Sequence, residues 1–132
     1  MELKNYFETT SGTGILSTAD SKGNVNAAIY SRPHFLEDKI AFIMLDRLSH
    51  KNLESNPHAA YLFIEDGSGV KGKRIYLTKV EEEKNSERIN SLKRRKRDSA
   101  PDEDRFLVFF KLNHERPLVG DDDQLLKAVE KD

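Results

Sequence analysis

Between two apolar runs the chain reads Asp46-Arg47-Leu48-Ser49-His50-Lys51-Asn52-Leu53-Glu54-Ser55-Asn56-Pro57. The runs, Lys39–Leu45 and Ala59–Ile64, predict β-strands, whereas the polar segment predicts one or two turns of helix. Ser49 is the expected N-cap of that helix, because its hydroxyl can accept a hydrogen bond from the first turn. A capped helix start also carries free backbone N–H groups and a partial positive charge, so it attracts anions.

Basic side chains crowd the start of this helix, where Arg47, His50 and Lys51 lie close to Ser49 in sequence. A strand end that brings an arginine to a helix N-terminus suits a phosphate group, because both features favour negative charge. The same residues also fit an ordinary strand–helix–strand connection with solvated charges. The local features therefore leave both interpretations open.

The composition describes one globular domain without thiol chemistry. The chain has 132 residues, of which 36% are hydrophobic and 34% are charged, and its net charge is −1. This balance provides no general attraction to nucleic acid or to anionic membranes. Cysteine is absent, which excludes disulfides and cysteine-based sites. No apolar run reaches the ~20 residues of a membrane span, and the N-terminus lacks the apolar core of a signal peptide, so we expect a cytoplasmic protein.

Apolar patterns along the chain predict six strands, most of them joined by turns. These strands are Gly14–Ala19, Asn24–Arg32, Ile40–Leu45, His58–Glu65, Lys73–Glu82 and Arg105–Asn113. Helices are expected at Leu3–Thr9, Lys84–Asp98 and Gln124–Lys131. We therefore expect a mainly β fold, an antiparallel barrel or sandwich, over residues 1–120, followed by an acidic C-terminal tail over residues 121–132.

Two of the predicted strands, His58–Glu65 and Arg105–Asn113, are apolar on both faces. In a small barrel one face of a strand fills the interior, so the other apolar face needs a cover. A second copy of the chain is the natural candidate for that cover. The sequence therefore predicts a homodimer.

Three further patterns have ordinary explanations. Gly67–Gly72 has the spelling G-x-G-x-x-G but precedes an alternating strand instead of a helix, which predicts a glycine-rich connection without a dinucleotide site.

The basic run Lys93–Arg97 lacks interleaved aromatic residues and is followed by acidic ones, which favours a solvated helix face over nucleic-acid binding. The four histidines do not have metal-site spacing, so no metal ligands are predicted.

The order and spacing of several segments resemble the pyridoxamine 5′-phosphate oxidase-like, FMN-binding split barrel family. The matching segments are Gly14–Asp20, Asn26–Tyr30, Arg32–His34, Asp46–Leu53, Asn56–Pro57 and His58–Phe63. The first three resemble the opening hairpin of the family, and the next two resemble its phosphate loop and short helix. The likeness covers about residues 12–115.

This resemblance implies a six-stranded antiparallel split β-barrel that forms a homodimer, with FMN at two sites in the subunit interface. It implies that the backbone of Ala28, Ile29 and Tyr30 faces the flavin ring. Arg74 or Tyr76, on the fifth predicted strand, would reach the cofactor held by the other protomer.

The resemblance also assigns residues to the phosphate of FMN. Arg47, Leu48 and Ser49 would lie at the phosphate, with Asn52 and Arg32 assisting. In the oxidase itself a lysine commonly stands where Ser49 lies here, so the phosphate charge would be met by other groups at this helix start.

The function that the resemblance implies is a flavin-dependent oxidoreductase with an unassigned substrate. His114-Glu115-Arg116 echoes only superficially the C-terminal segment with which the oxidase binds its substrate, which argues against pyridoxamine phosphate oxidase activity. The alternative is a non-catalytic carrier or sensor of flavin or haem on the same barrel, for which His34, His50 or His114 could supply a haem ligand. No catalytic acid or base is predicted.

Overall fold

The computed structural model describes residues 2–67, 69–92 and 103–120. The basic run Lys93–Arg97, the acidic tail at 121–132 and the helix expected at Gln124–Lys131 lie outside these ranges. The elements of the described chain are α1 (Glu2–Thr9), β1 (Gly12–Ala19), β2 (Val25–Tyr30), β3 (His34–Leu36), β4 (Lys39–Leu45), α2 (Leu48–Ser55), β5 (His58–Glu65), β6 (Gly72–Lys84), α3 (Glu87–Leu92) and β7 (Arg105–Pro117).

The strands form a single antiparallel sheet in the order β2-β1-β5-β6-β7-β4-β3. Tight turns account for the hairpins at both ends of this order. Asp20 Oδ1 accepts hydrogen bonds of 2.9 Å from the backbone N–H groups of Lys22 and Asn24 between β1 and β2. Glu37 and Asp38 join β3 to β4 with φ values of 53° and 63°, the left-handed pair typical of a two-residue hairpin turn.

The sheet curls into a barrel whose interior is largely aromatic. Tyr30 on β2 and Phe42 on β4 lie near opposite ends of the strand order, yet their ring centroids are 6.0 Å apart. Tyr61 and Phe63 of β5 and Phe110 of β7 are fully buried in this interior, where Tyr61 and Phe110 pack against Phe42. Within the described residues the sheet is not hydrogen-bonded between the edge strands β2 and β3, so the barrel is split along that side.

A second, smaller core lies on the outer face of β4 and β7. Ala41, Leu107 and Phe109 are buried there beneath Ile89 and Leu92 of α3. On this face the chain's own helix covers the apolar side chains of β7, whereas the homodimer that the sequence predicts stays a prediction.

Other differences from the sequence-based elements are local. The strand β3 was not expected, since only three residues separate Pro33 from the turn at Glu37. The helix expected at Lys84–Asp98 begins later, because β6 continues to Lys84 and α3 starts at Glu87. The second half of the expected helix, from residue 93 onward, lies outside the described residues. Breaks in the β6–β7 register at Tyr76/Leu77 and Lys79/Glu81 let these two 13-residue strands bend around the barrel.

Candidate functional site

A cavity of about 430 Å³ opens in the split between β2 and the β3–β4 hairpin. Its lining residues are Asn26, Ala28, Ile29, Tyr30, Ser31, Arg32, His34, Phe42, Ile43, Leu45, Arg47, Leu48, Ser49 and Arg105. The volume lies within the usual range for small-molecule sites, and the lining combines apolar walls with a few charged groups, as such sites do. The split in the barrel is therefore the best candidate for a ligand site.

The cavity brings together seven of the eight sequence-predicted site residues, all except Asn52. The side-chain amide of Asn52 donates a 3.1 Å hydrogen bond to Thr18 Oγ1, and both residues are buried. Asn52 thus ties α2 to β1 behind the cavity wall. Its expected part in phosphate binding stays a prediction. In this structure its side-chain amide bonds to Thr18, and the residue does not line the cavity.

Strand β2 forms one wall of the cavity through its inward side chains. Asn26, Ala28 and Tyr30 alternate with the outward Val25, Ala27 and Ile29 along the strand. Because β2 is an edge strand, one side of its backbone has no strand partner and can bind the polar rim of a ligand. The short side chain of Ala28 leaves room for close approach to that backbone.

Arg32 holds the end of this wall in place. Its Nη1 donates hydrogen bonds to the backbone oxygens of Phe7 and Thr10, at 3.0 and 3.1 Å. These carbonyls lie at the end of α1 and just beyond it. Arg32 lines the cavity, and part of its hydrogen-bonding capacity holds α1 against β2.

The start of α2 forms one end of the cavity, but Ser49 is not its N-cap. The helix begins at Leu48, the cap is the extended Arg47, and no side chain makes the capping hydrogen bond. Ser49 lies inside the first turn with 3% of its surface exposed, and its Oγ accepts a long 3.5 Å hydrogen bond from Asn26 Nδ2. The first N–H groups of a helix have no intrahelical acceptor, and Leu48 and Ser49, which carry two of them, line the cavity.

Two arginines lie at the same end. Arg47 lies two residues after the end of β4, and Arg105 begins β7 opposite Leu45, the last residue of β4. Sequence reasoning missed Arg105 because its position depends on a strand pairing across 60 residues, from Leu45 to Arg105. Arg47 Nη2 contacts both carboxylate oxygens of Glu103, at 3.1 and 3.2 Å. The positive charge of this end is thus partly balanced within the chain.

His50 anchors the start of α2 from behind. Its side chain is 2% exposed, and its ring stacks on Phe106 with the centroids 3.8 Å apart. Asp46 Oδ1 and Glu82 Oε1 lie 3.2 and 3.0 Å from its two ring nitrogens. Burial by itself would raise the pKa of the Glu82 carboxyl, but hydrogen bonds from Lys79 and His50 outweigh it and hold the pKa below its ordinary value. These contacts fix the turn that follows Arg47.

The other histidines are spread over the molecule. His34 lines the cavity, and His114 is exposed on β7, where its ring packs on Tyr76 at 4.5 Å. His58 Nδ1 lies 3.3 Å from Thr78 Oγ1. Within residues 2–67, 69–92 and 103–120, no group of three or more acidic or histidine side chains is arranged to hold a metal ion.

The glycine-rich segment noted in the sequence leads into a strand. Gly72, the last glycine of the G-x-G-x-x-G spelling, begins the strand β6, so the prediction of a glycine-rich strand connection is confirmed.

The helices in the described part of the chain are all too short and too polar to span a bilayer.

Comparison with known proteins identifies the fold. No protein-family model and no curated protein matches the sequence. An FMN-binding protein from Syntrophomonas wolfei subsp. wolfei matches in structure with a TM-score of 0.66 and 17% identity, over 89% of this chain and 84% of that chain. An F420 reductase matches with a TM-score of 0.65 and 12% identity, over 80% of this chain and 89% of that chain. The chain has the split-barrel fold of flavin-binding proteins.

The same split barrel also occurs in a protein described by another ligand. HutZ, the heme storage protein from Vibrio cholerae, matches with a TM-score of 0.61 and 17% identity, over 88% of this chain and 92% of that chain. The expected fold class is therefore confirmed, with seven strands where the sequence predicted six. The choice of ligand depends on the residues of this chain.

Proposed function

We propose that this protein binds FMN in the cavity between β2 and β4 and acts as a flavin-dependent oxidoreductase. The observation that carries the proposal is the meeting of three features in one cavity: the edge strand β2, the start of α2, and the side chains of Arg47 and Arg105. A flat polar ring needs a backbone edge to bind its rim, and a phosphate dianion needs N–H groups and guanidinium groups. The residues present fit both parts of FMN.

The isoalloxazine ring would lie along β2, against the backbone of Ala28, Ile29 and Tyr30. Tyr30 lines this wall with its ring largely buried, and burial raises the pKa of its hydroxyl, although a hydrogen bond with Ser49 opposes the rise. The residue therefore stays neutral near pH 7 and provides an uncharged surface for the ring. Bound flavin would supply the redox chemistry, and the barrel would orient it and limit its contact with water.

The phosphate would lie at the opposite end, where Leu48 and Ser49 begin α2. Arg47 and Arg105 supply positive charge there. Lys51, on the next turn, is exposed and lies outside the cavity lining. Arg47 is therefore the residue whose loss should weaken phosphate binding most directly.

The proposal includes a homodimer that completes the site. On the outer face of the sheet, Ile15, Ile29 and Leu62 lie side by side in the registers of β1 with β2 and β5. Ile29 is 70% exposed and Val25 is 81% exposed. Such a contiguous apolar row calls for a partner surface, and Ile29 also lines the cavity. A second copy bound to this face would both close one side of the cavity and bury the apolar row.

A second candidate function is the storage or sensing of haem. The observation that favours it is His34, which lies in the cavity lining on β3. Histidine is a common axial ligand of haem iron. His50 is less suitable, because carboxylates lie within hydrogen-bonding distance of both its ring nitrogens.

The absorbance spectrum of freshly isolated protein, followed by separate titrations with FMN and haemin, tests the proposal. We expect flavin bands or saturable quenching of FMN fluorescence, with reduction of the bound flavin by a nicotinamide cofactor and turnover with an acceptor. Flavin binding without turnover would favour a carrier. Haemin binding that is lost in His34→Ala, without FMN binding, would replace the flavin proposal, and binding of neither compound would refute both.

A further inference from the structure

The contact between Arg47 and Glu103 engages one nitrogen, Nη2, of the guanidinium group that the proposed phosphate site uses. Arg47 Nη2 contacts both oxygens of Glu103, and the side chains are 66% and 35% exposed. Glu103 precedes β7 by two residues, so the contact links the chain before β7 to the cap of α2. The carboxylate therefore lies beside the cavity end at which the helix begins.

Carboxylate and phosphate groups use the same donors of an arginine side chain, because both accept pairs of N–H bonds from its planar fork. A phosphate at the start of α2 would compete with Glu103 for Arg47. If the carboxylate stayed in place, the two anions would also repel each other. A ligand with the same ring and sugar chain but no phosphate would meet neither effect.

We propose that Glu103 is a specificity-determining residue, an internal carboxylate that competes with the ligand phosphate for Arg47 and so limits how strongly the cavity prefers FMN to riboflavin. This inference rests on the proposed function for its ligand. It does not depend on the redox role, because the competition concerns only the anion end of the cavity.

The alternative is an ordinary surface ion pair that stabilises the fold slightly. Exposed pairs contribute little to stability and are screened by salt. Competition makes a different prediction, because it acts only on ligands that carry the phosphate. The affinities for FMN and riboflavin, measured in parallel, therefore separate the two interpretations.

The experiment compares the wild type with Glu103→Gln and with Glu54→Gln, which removes the same charge from an exposed position on α2. FMN and riboflavin are titrated against each protein at one pH and one low salt concentration. Removal of the competitor should tighten FMN binding by about fivefold, the upper range for an exposed ion pair. Riboflavin affinity should not change, and Glu54→Gln should leave both affinities within about twofold of the wild type.

The variant Arg47→Ala and the double variant Arg47→Ala/Glu103→Gln complete a cycle. If Glu103 acts by occupying Arg47, its removal should tighten FMN binding less when Arg47 is already absent. Unchanged or weaker FMN binding by Glu103→Gln, in a protein whose wild type binds FMN, would overturn the inference. An equal gain for riboflavin would overturn it as well, because the effect would not depend on phosphate.

Inorganic phosphate provides a test that does not depend on flavin. In thermal unfolding, millimolar phosphate should raise the melting temperature of Glu103→Gln more than that of the wild type or of Glu54→Gln, with sulfate-free buffers throughout. If no flavin binds but this phosphate effect is present, the flavin proposal fails and the competition at Arg47 stands. If flavin binds but Glu103→Gln gains no phosphate or FMN affinity, the competition fails and the flavin proposal stands.

Discussion

The hydroxyl of Tyr61 donates a 3.0 Å hydrogen bond to the backbone oxygen of Tyr30. Tyr61 lies on β5 in the barrel interior, with no exposed surface, whereas Tyr30 ends β2 and lines the cavity. Strand β1 lies between β5 and β2 in the sheet, so this bond passes across β1 at Gly14, the register partner of Tyr30. It connects the core directly to the strand that forms the cavity wall.

Removal of the hydroxyl in Tyr61→Phe should lower the free energy of unfolding by about 1 kcal/mol, because the variant loses one buried hydrogen bond and leaves the Tyr30 carbonyl without that donor. Urea unfolding at neutral pH measures the change. Tyr76→Phe, on the outer side of β6, is the matched control and should stay within about 0.5 kcal/mol of the wild type. Equal stability of Tyr61→Phe and the wild type would show that the bond does not hold the wall.

Position 14 requires glycine, because the side chain of Tyr61 fills the space that a Cβ at this position would need. A Cβ added at Gly14 would overlap the hydroxyl and ring of Tyr61. Gly14→Ala should therefore destabilise the protein by about 1–3 kcal/mol, the usual cost of overpacking a core. Thr13→Ala, at the exposed neighbouring position of β1, should be nearly neutral in the same unfolding measurement, and a neutral Gly14→Ala would contradict the packing described here.

The stability should fall in acid partly through Glu82, whose pKa is lowered in the folded protein by Lys79 and His50. A carboxyl with a lowered pKa stabilises the fold at pH values above its ordinary pKa of 4.5, and this contribution is lost as the pH falls through the lower, folded value. Unfolding curves measured from pH 7 to pH 3 should therefore decline less steeply below 4.5 for Glu82→Gln than for the wild type. A parallel decline in both proteins would argue against this linkage, and Glu54→Gln serves as the exposed control.

The proposed dimer predicts that Ile29→Asp dissociates the protein, since it places a charge in the apolar row of the outer sheet face. Sedimentation velocity at micromolar concentration should give a dimer for the wild type and a monomer for the variant. Val70→Asp changes a valine that is also 69% exposed but lies in the loop before β6, and it should remain a dimer. A monomeric wild type would remove the dimer from the proposal.

Local sequence patterns predicted most of the strands, because their central segments alternate or are apolar, whereas the polar ends of β6 and β7 were predicted too short. The bounds of β5 agree with the prediction, His58–Glu65. The helix after Leu45 was also expected, but its cap was misplaced by two residues. Arg47 serves as the cap without a side-chain hydrogen bond, so the usual preference for serine did not decide the start.

Long-range pairing accounts for what the sequence did not predict. Arg105 joins the cavity because it pairs with Leu45 in the β4–β7 register, and Glu103 meets Arg47 for the same reason. A second copy was expected over the outer face of β7 because the strand is apolar on both faces. The pairing of β4 with β7 instead brings Ala41, Leu107 and Phe109 together beneath Ile89 and Leu92 of α3.

The most direct test of the central claim is the dissociation constant for FMN, measured by calorimetry for the wild type, Arg47→Ala and Lys51→Ala. Arg47 lines the cavity at the start of α2, whereas Lys51 is exposed outside it. Loss of one charge-assisted contact to phosphate should weaken FMN binding about tenfold in Arg47→Ala, with little change in Lys51→Ala. Equal FMN affinity in all three proteins, or no FMN binding by the wild type, would contradict the account.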